Sequence, residues 1–142
     1  MRYLGLDLGT KTLGVSISDT TKTIASALKT IRFKENDYDY LISELEGIIY
    51  NYNISKIVLG LPKNMNNTMG ERCLDTIEFQ KKLIEHFGIE VVLQDERLTT
   101  VEATNYMLEA DLSRKKRKKS IDSLAANIIL QTYLDKEKGG RL

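Results

Sequence analysis

The chain has 142 residues, room for one domain and too little for two of ordinary size, and its 42% hydrophobic and 29% charged content is that of a globular protein able to bury a core without cross-links. A single cysteine, Cys73, excludes an internal disulfide; no stretch is apolar for long enough to span a bilayer, and the opening Met1-Arg2-Tyr3-Leu4-Gly5 lacks the apolar centre of a signal peptide, so the expected compartment is the cytoplasm, with no membrane partner. The net charge of +1 hides a segregation: Arg114, Lys115, Lys116, Arg117, Lys118 and Lys119 are consecutive, and without them fifteen basic residues face twenty acidic ones.

From the N-terminus, Tyr3 to Leu8 alternates. Leu4, Leu6 and Leu8 share one face, and Tyr3, Gly5 and Asp7 the other, as in a strand. Gly9-Thr10-Lys11-Thr12 reads as a hairpin turn, and Leu13, Val15 and Ile17 alternate with Gly14, Ser16 and Ser18 in a second strand. After Asp19 and a Thr-rich turn, Thr23 to Phe33 reads as a third. Strands so close in sequence are expected to pair antiparallel. The period then becomes helical through Tyr38, Leu41, Ile42, Leu45, Ile48 and Ile49. Lys56 to Leu61 is a short apolar run, the mark of a buried strand. A loop from Pro62 to Gly70 leads into a helix over Glu71 to Phe87, which Gly88 is suited to close in the left-handed conformation. Ile89 to Asp95 is another strand and Thr100 to Ala110 another helix. The basic run reads as a loop, and Ser120 to Lys136 as a last helix with Ser120 as its N-cap. The order βββαβαβαα implies an α/β fold, a mixed sheet covered by helices.

Carboxylates gather where this order brings strand ends together. Asp7 ends the first strand on the face opposite the leucines, and Asp95 and Glu96 end the last one. Functional loops collect at the carboxyl ends of such strands. Asp122, expected in the first turn of the final helix, would join them if that helix packs over the same edge. An acid closing an apolar strand needs a partner, whereas Asp122 could equally serve the helix dipole and the Asp95–Glu96 pair could be a solvated strand end. Parity favours Glu96 over Asp95 as a ligand, because Glu96 shares its side with Gln94. Converging carboxylates repel one another unless a cation neutralises them. Hard oxygen donors select Mg²⁺ or Mn²⁺ rather than zinc. Two such ions, about 3.5–4 Å apart, can activate water and stabilise the leaving oxygen of a phosphodiester. The basic run supplies attraction for a phosphate backbone. His86 near a helix end, Cys73 on a helix and the tyrosines are read as packing residues.

Four segments carry a resemblance to a known family: Leu6-Asp7-Leu8-Gly9-Thr10-Lys11 with Gly14; Val58-Leu59-Gly60-Leu61-Pro62; Asp95-Glu96-Arg97-Leu98-Thr99-Thr100; and Asp122-Ser123-Leu124-Ala125-Ala126. In this order the chain resembles the YqgF (RuvX) family of RNase H-like nucleases along nearly its whole length. The resemblance implies one RNase H-like domain over residues 1–142, with a five-stranded mixed sheet of three antiparallel strands followed by two parallel ones, flanked by helices. It implies a nuclease dependent on Mg²⁺ or Mn²⁺, with Asp7, Glu96 and Asp122 as catalytic and metal-binding acids. The family is linked to maturation of the 5′ end of pre-16S rRNA and was earlier described as a Holliday junction resolvase, by likeness to the RuvC resolvases. Asn66-Asn67-Thr68 departs from its loop, which usually has Gly before Thr. The expected partner is nucleic acid, an rRNA precursor or alternatively a DNA junction, held by Lys11, Arg97, Arg114, Lys115, Lys116, Arg117, Lys118 and Lys119. The protein is expected to be a monomer or a homodimer. Two further readings share the fold: one lobe of a sugar kinase or actin-like ATPase, since Asp-x-Gly-Thr also opens their phosphate hairpin, and a non-catalytic RNA-binding module.

Overall fold

The computed structural model describes residues 1–61, 71–95 and 114–139, with backbone alone at 71, 72, 95, 114–123, 138 and 139. Five strands and three helices lie within this set: β1 (Arg2–Leu8), β2 (Thr12–Ser18), β3 (Ala25–Arg32), α1 (Tyr38–Asn51), β4 (Ile54–Leu61), α2 (Glu71–Phe87), β5 (Glu90–Asp95) and α3 (Arg114–Gly139). The loop at 62–70 and the helix expected over Thr100 to Ala110 fall outside the described residues, as do Glu96 and Arg97.

The strands form one sheet in the order β3-β2-β1-β4-β5. β1 pairs antiparallel with β2, and β2 with β3. β1 pairs parallel with β4, and β4 with β5. The expected mixed sheet is therefore present, three antiparallel strands continued by two parallel ones. The hairpin turn is closed by Gly9 N–H donating to the Thr12 carbonyl at 2.8 Å. Asp19 organises the next turn. Its carboxylate accepts from the Thr21 hydroxyl at 2.6 Å and from the Thr23 and Ile24 amides at 2.8 and 3.1 Å. Those bonds, the Thr21 hydroxyl first, hold its pKa down at about 2. Gly88 ends α2 at φ +65°, donating to the Ile84 carbonyl at 2.9 Å, the left-handed cap its position predicted.

Strand alternation divides the apolar residues between two layers. Leu4, Leu6, Leu8, Leu13, Val15, Ile57 and Leu59 face α1 and α2, where Leu41, Leu45, Ile48, Phe79 and Leu83 meet them. Tyr3, Ala25 and Val58 face the other way, against Ile129, Leu130 and Leu134 of α3. Asp7 belongs by parity to this second face, the one on which α3 lies.

The final helix differs from its expected form. It begins at Arg114, so the six cations lie within a helix and Ser120 is its seventh residue rather than its N-cap. Asp122 is the ninth residue, two turns beyond the start. Like charges at i,i+4 and cations near a positive helix end disfavour such a start. Lys and Arg nevertheless have high intrinsic helix propensity, and neither Gly nor Pro interrupts the segment. Cys73 is fully buried, as expected of a packing residue. Among the tyrosines, Tyr3 and Tyr38 are buried but Tyr40 and Tyr50 are 42% and 83% exposed, so packing does not account for all of them.

Candidate active site

Asp7 is the penultimate residue of β1 and is half-buried. Its backbone is level with Gly14 of β2, and Gly14 is level with Thr30 of β3. On the parallel side Leu6 pairs with Leu59, so the next step brings Asp7 level with Gly60, which pairs with Gln94 of β5. Residues level across a sheet share a face. The row Thr30–Gly14–Asp7–Gly60–Gln94 thus sets the acid between two residues without side chains. Gly14 and Gly60 belong to segments singled out in the sequence, and this row gives them a physical role. Val92 faces the α3 layer, whereas Val91 and Leu93 face α1 and α2. Gln94 is therefore on the Asp7 face.

α3 is seated on this face by specific contacts. Ser16, fully buried and level with Gly5, donates its hydroxyl to the Ala126 carbonyl at 2.8 Å. A Cβ on Gly5 would lie 2.3 Å from Ser16 Oγ, 2.7 Å from Leu130 Cβ and 3.0 Å from the Ala126 carbonyl oxygen. Only glycine lets the helix approach this closely. Farther along, Gln131 binds the edge of the sheet twice. Its Oε1 accepts from Ala25 N–H at 2.8 Å and its Nε2 donates to the Thr23 carbonyl at 3.0 Å. At the far end Lys56 donates to Tyr133 Oη at 2.9 Å and lies 3.6 Å from both Glu90 and Glu137. Burial works against the Lys56 charge, but the Tyr133 hydroxyl and the surrounding Tyr3 and Glu90 outweigh it and raise the pKa. Sequence reasoning did not single out Ser16, Gln131 or Lys56. The small residues Gly5 and Ala126 were the available signal that a helix comes close here.

Removing the Ser16 hydroxyl isolates one of these contacts. The Ser16→Ala protein is expected to lose about 1 kcal/mol of stability, read as a lowered urea midpoint with an unchanged slope. Its backbone stays in place, because the Ala126 carbonyl keeps its bond within the helix.

Beneath the turn that follows Asp7, on the opposite side of the sheet, lies a small cavity of about 20 Å³ lined by Leu8, Gly9, Thr10, Glu35, Asn36, Tyr38 and Asp75. It has room for one water. Burial, and then the charges of Asp75, Glu78 and Glu35, push the Tyr38 hydroxyl pKa up. His86 is remote from Asp7. It pairs with Glu46 at 2.6 Å between α2 and α1, consistent with the structural part assigned to it.

The remaining candidates are distributed unevenly. Lys11 is exposed at the β1–β2 turn, four residues from Asp7. Glu96 and Arg97 lie outside the described residues, and so do the side chains of Asp95, Asp122 and the run Arg114 to Lys119. Among the described residues no group of three His, Cys, Asp or Glu side chains could hold a metal ion. Asp7 is the one expected ligand whose side chain is described.

Residues 1–136 match the RuvX family model, described as Holliday junction resolvase. The chain belongs to the RuvX (YqgF) family. One RuvX relative, from Bacillus subtilis (strain 168) and provisionally named pre-16S rRNA nuclease, is 53% identical over 135 residues, covering 95% of this chain and 98% of that protein. Among solved structures, Thermus thermophilus RuvC in complex with a Holliday junction substrate aligns with a TM-score of 0.61 at 11% identity, over 99% of this chain and 97% of that one. The fowlpox virus Holliday junction resolvase aligns with a TM-score of 0.55 at 14% identity, over 96% and 99%. These distant structures share the RNase H-like fold of this RuvX chain. RuvX membership makes the protein a nuclease, of a class that depends on a divalent metal and acts on nucleic acid. No helix among the described residues is long and apolar enough to cross a membrane.

Proposed function

We propose that the chain is a single nuclease domain that cleaves the 5′ side of the 16S rRNA precursor in the cytoplasm, using Mg²⁺ or Mn²⁺ held by Asp7, Glu96 and Asp122. The observation that carries this reading is the seating of α3. The helix runs antiparallel to β1: Tyr3 meets Tyr133 and Glu137, and Gly5 meets Ala126 and Leu130. Two strand residues advance about 6.6 Å and four helix residues about 6 Å. A further step toward the start of the helix leads from Ala126 to the turn around position 122, which supports Asp122 as the companion of Asp7.

The length of α3 supports the same assignment. A carboxylate complements a helix dipole only within the first turn, and Asp122 is the ninth residue. The helix-dipole explanation for that acid is therefore lost. Glu96 follows Gln94 by two residues, which keeps it on the Asp7 face if the strand alternation runs on. The three acids form a hard oxygen set suited to a divalent ion. An ion bound there would supply Lewis acidity and a water of lowered pKa. In this reading the carboxylates hold and orient the ion, Lys11 and Arg97 grip the phosphates beside the scissile bond, and the run Arg114 to Lys119 draws the strand in by its charge. The rRNA precursor is favoured because the relatives matching nearly this whole chain carry that name. RuvX membership sets aside the kinase-lobe reading.

A second reading, resolution of four-way DNA junctions, is favoured by the description of the family model and by the fold shared with RuvC. The two are separated by offering precursor rRNA and four-way DNA junctions to the same preparation with Mg²⁺, with Mn²⁺ and with EDTA. Metal-dependent cutting of the rRNA near its mature 5′ end, with intact junctions, is the expected result. Symmetric cutting of junctions with untouched rRNA would move the assignment to the second reading. Cutting undiminished by EDTA would remove the metal from it.

A further inference from the structure

At the outer edge of the sheet, β3 ends beside the β1–β2 turn. Arg32 is level with Thr12, and Phe33 N–H donates to the Lys11 carbonyl at 3.0 Å. This pairing gathers Lys11, Arg32 and Lys34, all exposed, around the turn that follows Asp7. Thr30 is in the Asp7 row, and Arg32, two residues on, keeps to the same face. β3 is two strand spacings from β1, about 10 Å.

A groove of about 410 Å³ opens here, lined by Arg32, Phe33, Lys34, Asp37 and Tyr40. Phe33 is buried and forms its floor. Tyr40 is 42% exposed, and the neighbouring Glu44 carboxylate raises the pKa of its hydroxyl. Among the described residues Lys11, Arg32 and Lys34 make no ion pair. Acids also border the shelf: Asp37 lines the groove itself and Glu44 stands beside Tyr40. Asp37 caps α1, accepting from Tyr40 N–H at 3.3 Å, and Glu35 lines the cavity beneath the Gly9 turn with Asp75. The result, among the described residues, is a shelf of three cations without ion pairs, bordered by Tyr40 from the α1 layer, at the end of the sheet where β1 stops.

We propose that this shelf binds the single-stranded RNA that leads away from the scissile phosphate, with Arg32 and Lys34 on successive phosphates and one base stacked on Tyr40. This rests on the nuclease reading of Asp7 for its direction and adds three residues to the contact set. Cations set beside an exposed ring match what single strands offer, a charged backbone and π-faces. A duplex would hide the base faces that Tyr40 needs.

The test is fluorescence anisotropy with a short labelled single-stranded RNA, in the full chain carrying Asp7→Asn so that binding is read without cleavage. Arg32→Ala with Lys34→Ala is expected to weaken binding about tenfold and to flatten the slope of log affinity against log salt by about 1.4, two contacts at 0.7 each. Tyr40→Ala is expected to weaken it about tenfold with the salt slope unchanged, and Tyr40→Phe to restore it. Lys136→Ala, at the opposite end of the sheet, is expected to change neither. With Asp7 intact, the shelf variants raise KM and leave kcat at saturating RNA as it was. Unchanged affinity and slope in all the shelf variants would overturn the proposal. RNA binding that needs the shelf, in a chain that with Asp7 intact cuts no RNA, would uphold the shelf and overturn the rRNA-nuclease reading.

Discussion

Asparagine in place of Asp7 is expected to slow metal-dependent cleavage by about two to three orders of magnitude while leaving the fold intact. The two side chains have the same shape, and the backbone at this position is held by pairing with Gly14, so the sheet has no reason to change. What changes is charge. The amide oxygen is a weaker donor to a hard cation, and the stabilisation the ion gives the transition state, several kcal/mol, diminishes. A fall in kcat of about 10²–10³-fold follows from a loss of roughly 3–4 kcal/mol. The thermal behaviour carries a second sign. If Glu96 and Asp122 converge on Asp7 as proposed, removing one negative charge relieves repulsion when no metal is bound, so the melting temperature of Asp7→Asn is expected to equal or exceed that of the unaltered chain. With Mn²⁺ in excess the order reverses, because a ligand that binds only the folded state stabilises it in proportion to its affinity. Scanning calorimetry with and without Mn²⁺, beside a cleavage assay, reads both. Cleavage undiminished in Asp7→Asn would sink the active-site assignment outright.

The sheet was legible in the sequence because its signal is local. Alternation in Tyr3 to Leu8 and Leu13 to Ser18 put the leucines on one face and Asp7 on the other, and both apolar layers bear that out. The boundaries of α2 and its glycine cap were equally local. The start of α3 was not. A run of six cations followed by Ser120 offers two contrary signals, helix propensity within the run and a capping residue after it. The cap was the misleading one. Gly5 was legible as a small residue but not as the reason α3 can approach, since that depends on Ser16, Ala126 and Leu130 arriving from distant parts of the chain. Lys56 was likewise hidden, because its meaning lies in Tyr133, Glu90 and Glu137. The basic shelf escaped for a similar reason. Lys11, Arg32 and Lys34 are scattered in sequence and meet only when β3 is fastened to the hairpin turn.

The same geometry makes Gly5→Ala the most informative substitution away from the acids. One added methyl group would fall inside contact distance of three atoms. Ser16 Oγ can rotate away, at the cost of its bond to Ala126. Leu130 Cβ and the Ala126 carbonyl belong to the helix and can give way only if α3 lifts. Overpacking of this kind costs about 1–3 kcal/mol, to which the lost hydrogen bond adds about 1 kcal/mol. A drop in melting temperature of about 6–15 °C is expected for a chain of this size. If α3 carries Asp122 to its place opposite Asp7, the damage extends beyond stability. A displacement of about 1 Å at a reacting centre can lower a rate roughly 10²-fold. Gly5→Ala is therefore expected to lose most of its cleavage activity at temperatures where circular dichroism still shows it folded. Ser16→Ala separates the two effects, since it gives up the same hydrogen bond without lifting the helix, and its activity is expected to stay within about threefold of the unaltered chain, the size of a sub-kcal/mol barrier change. If Gly5→Ala melts early yet cuts RNA at the full rate while folded, the seating of α3 does not govern the site, and Asp122 is not the acid that faces Asp7.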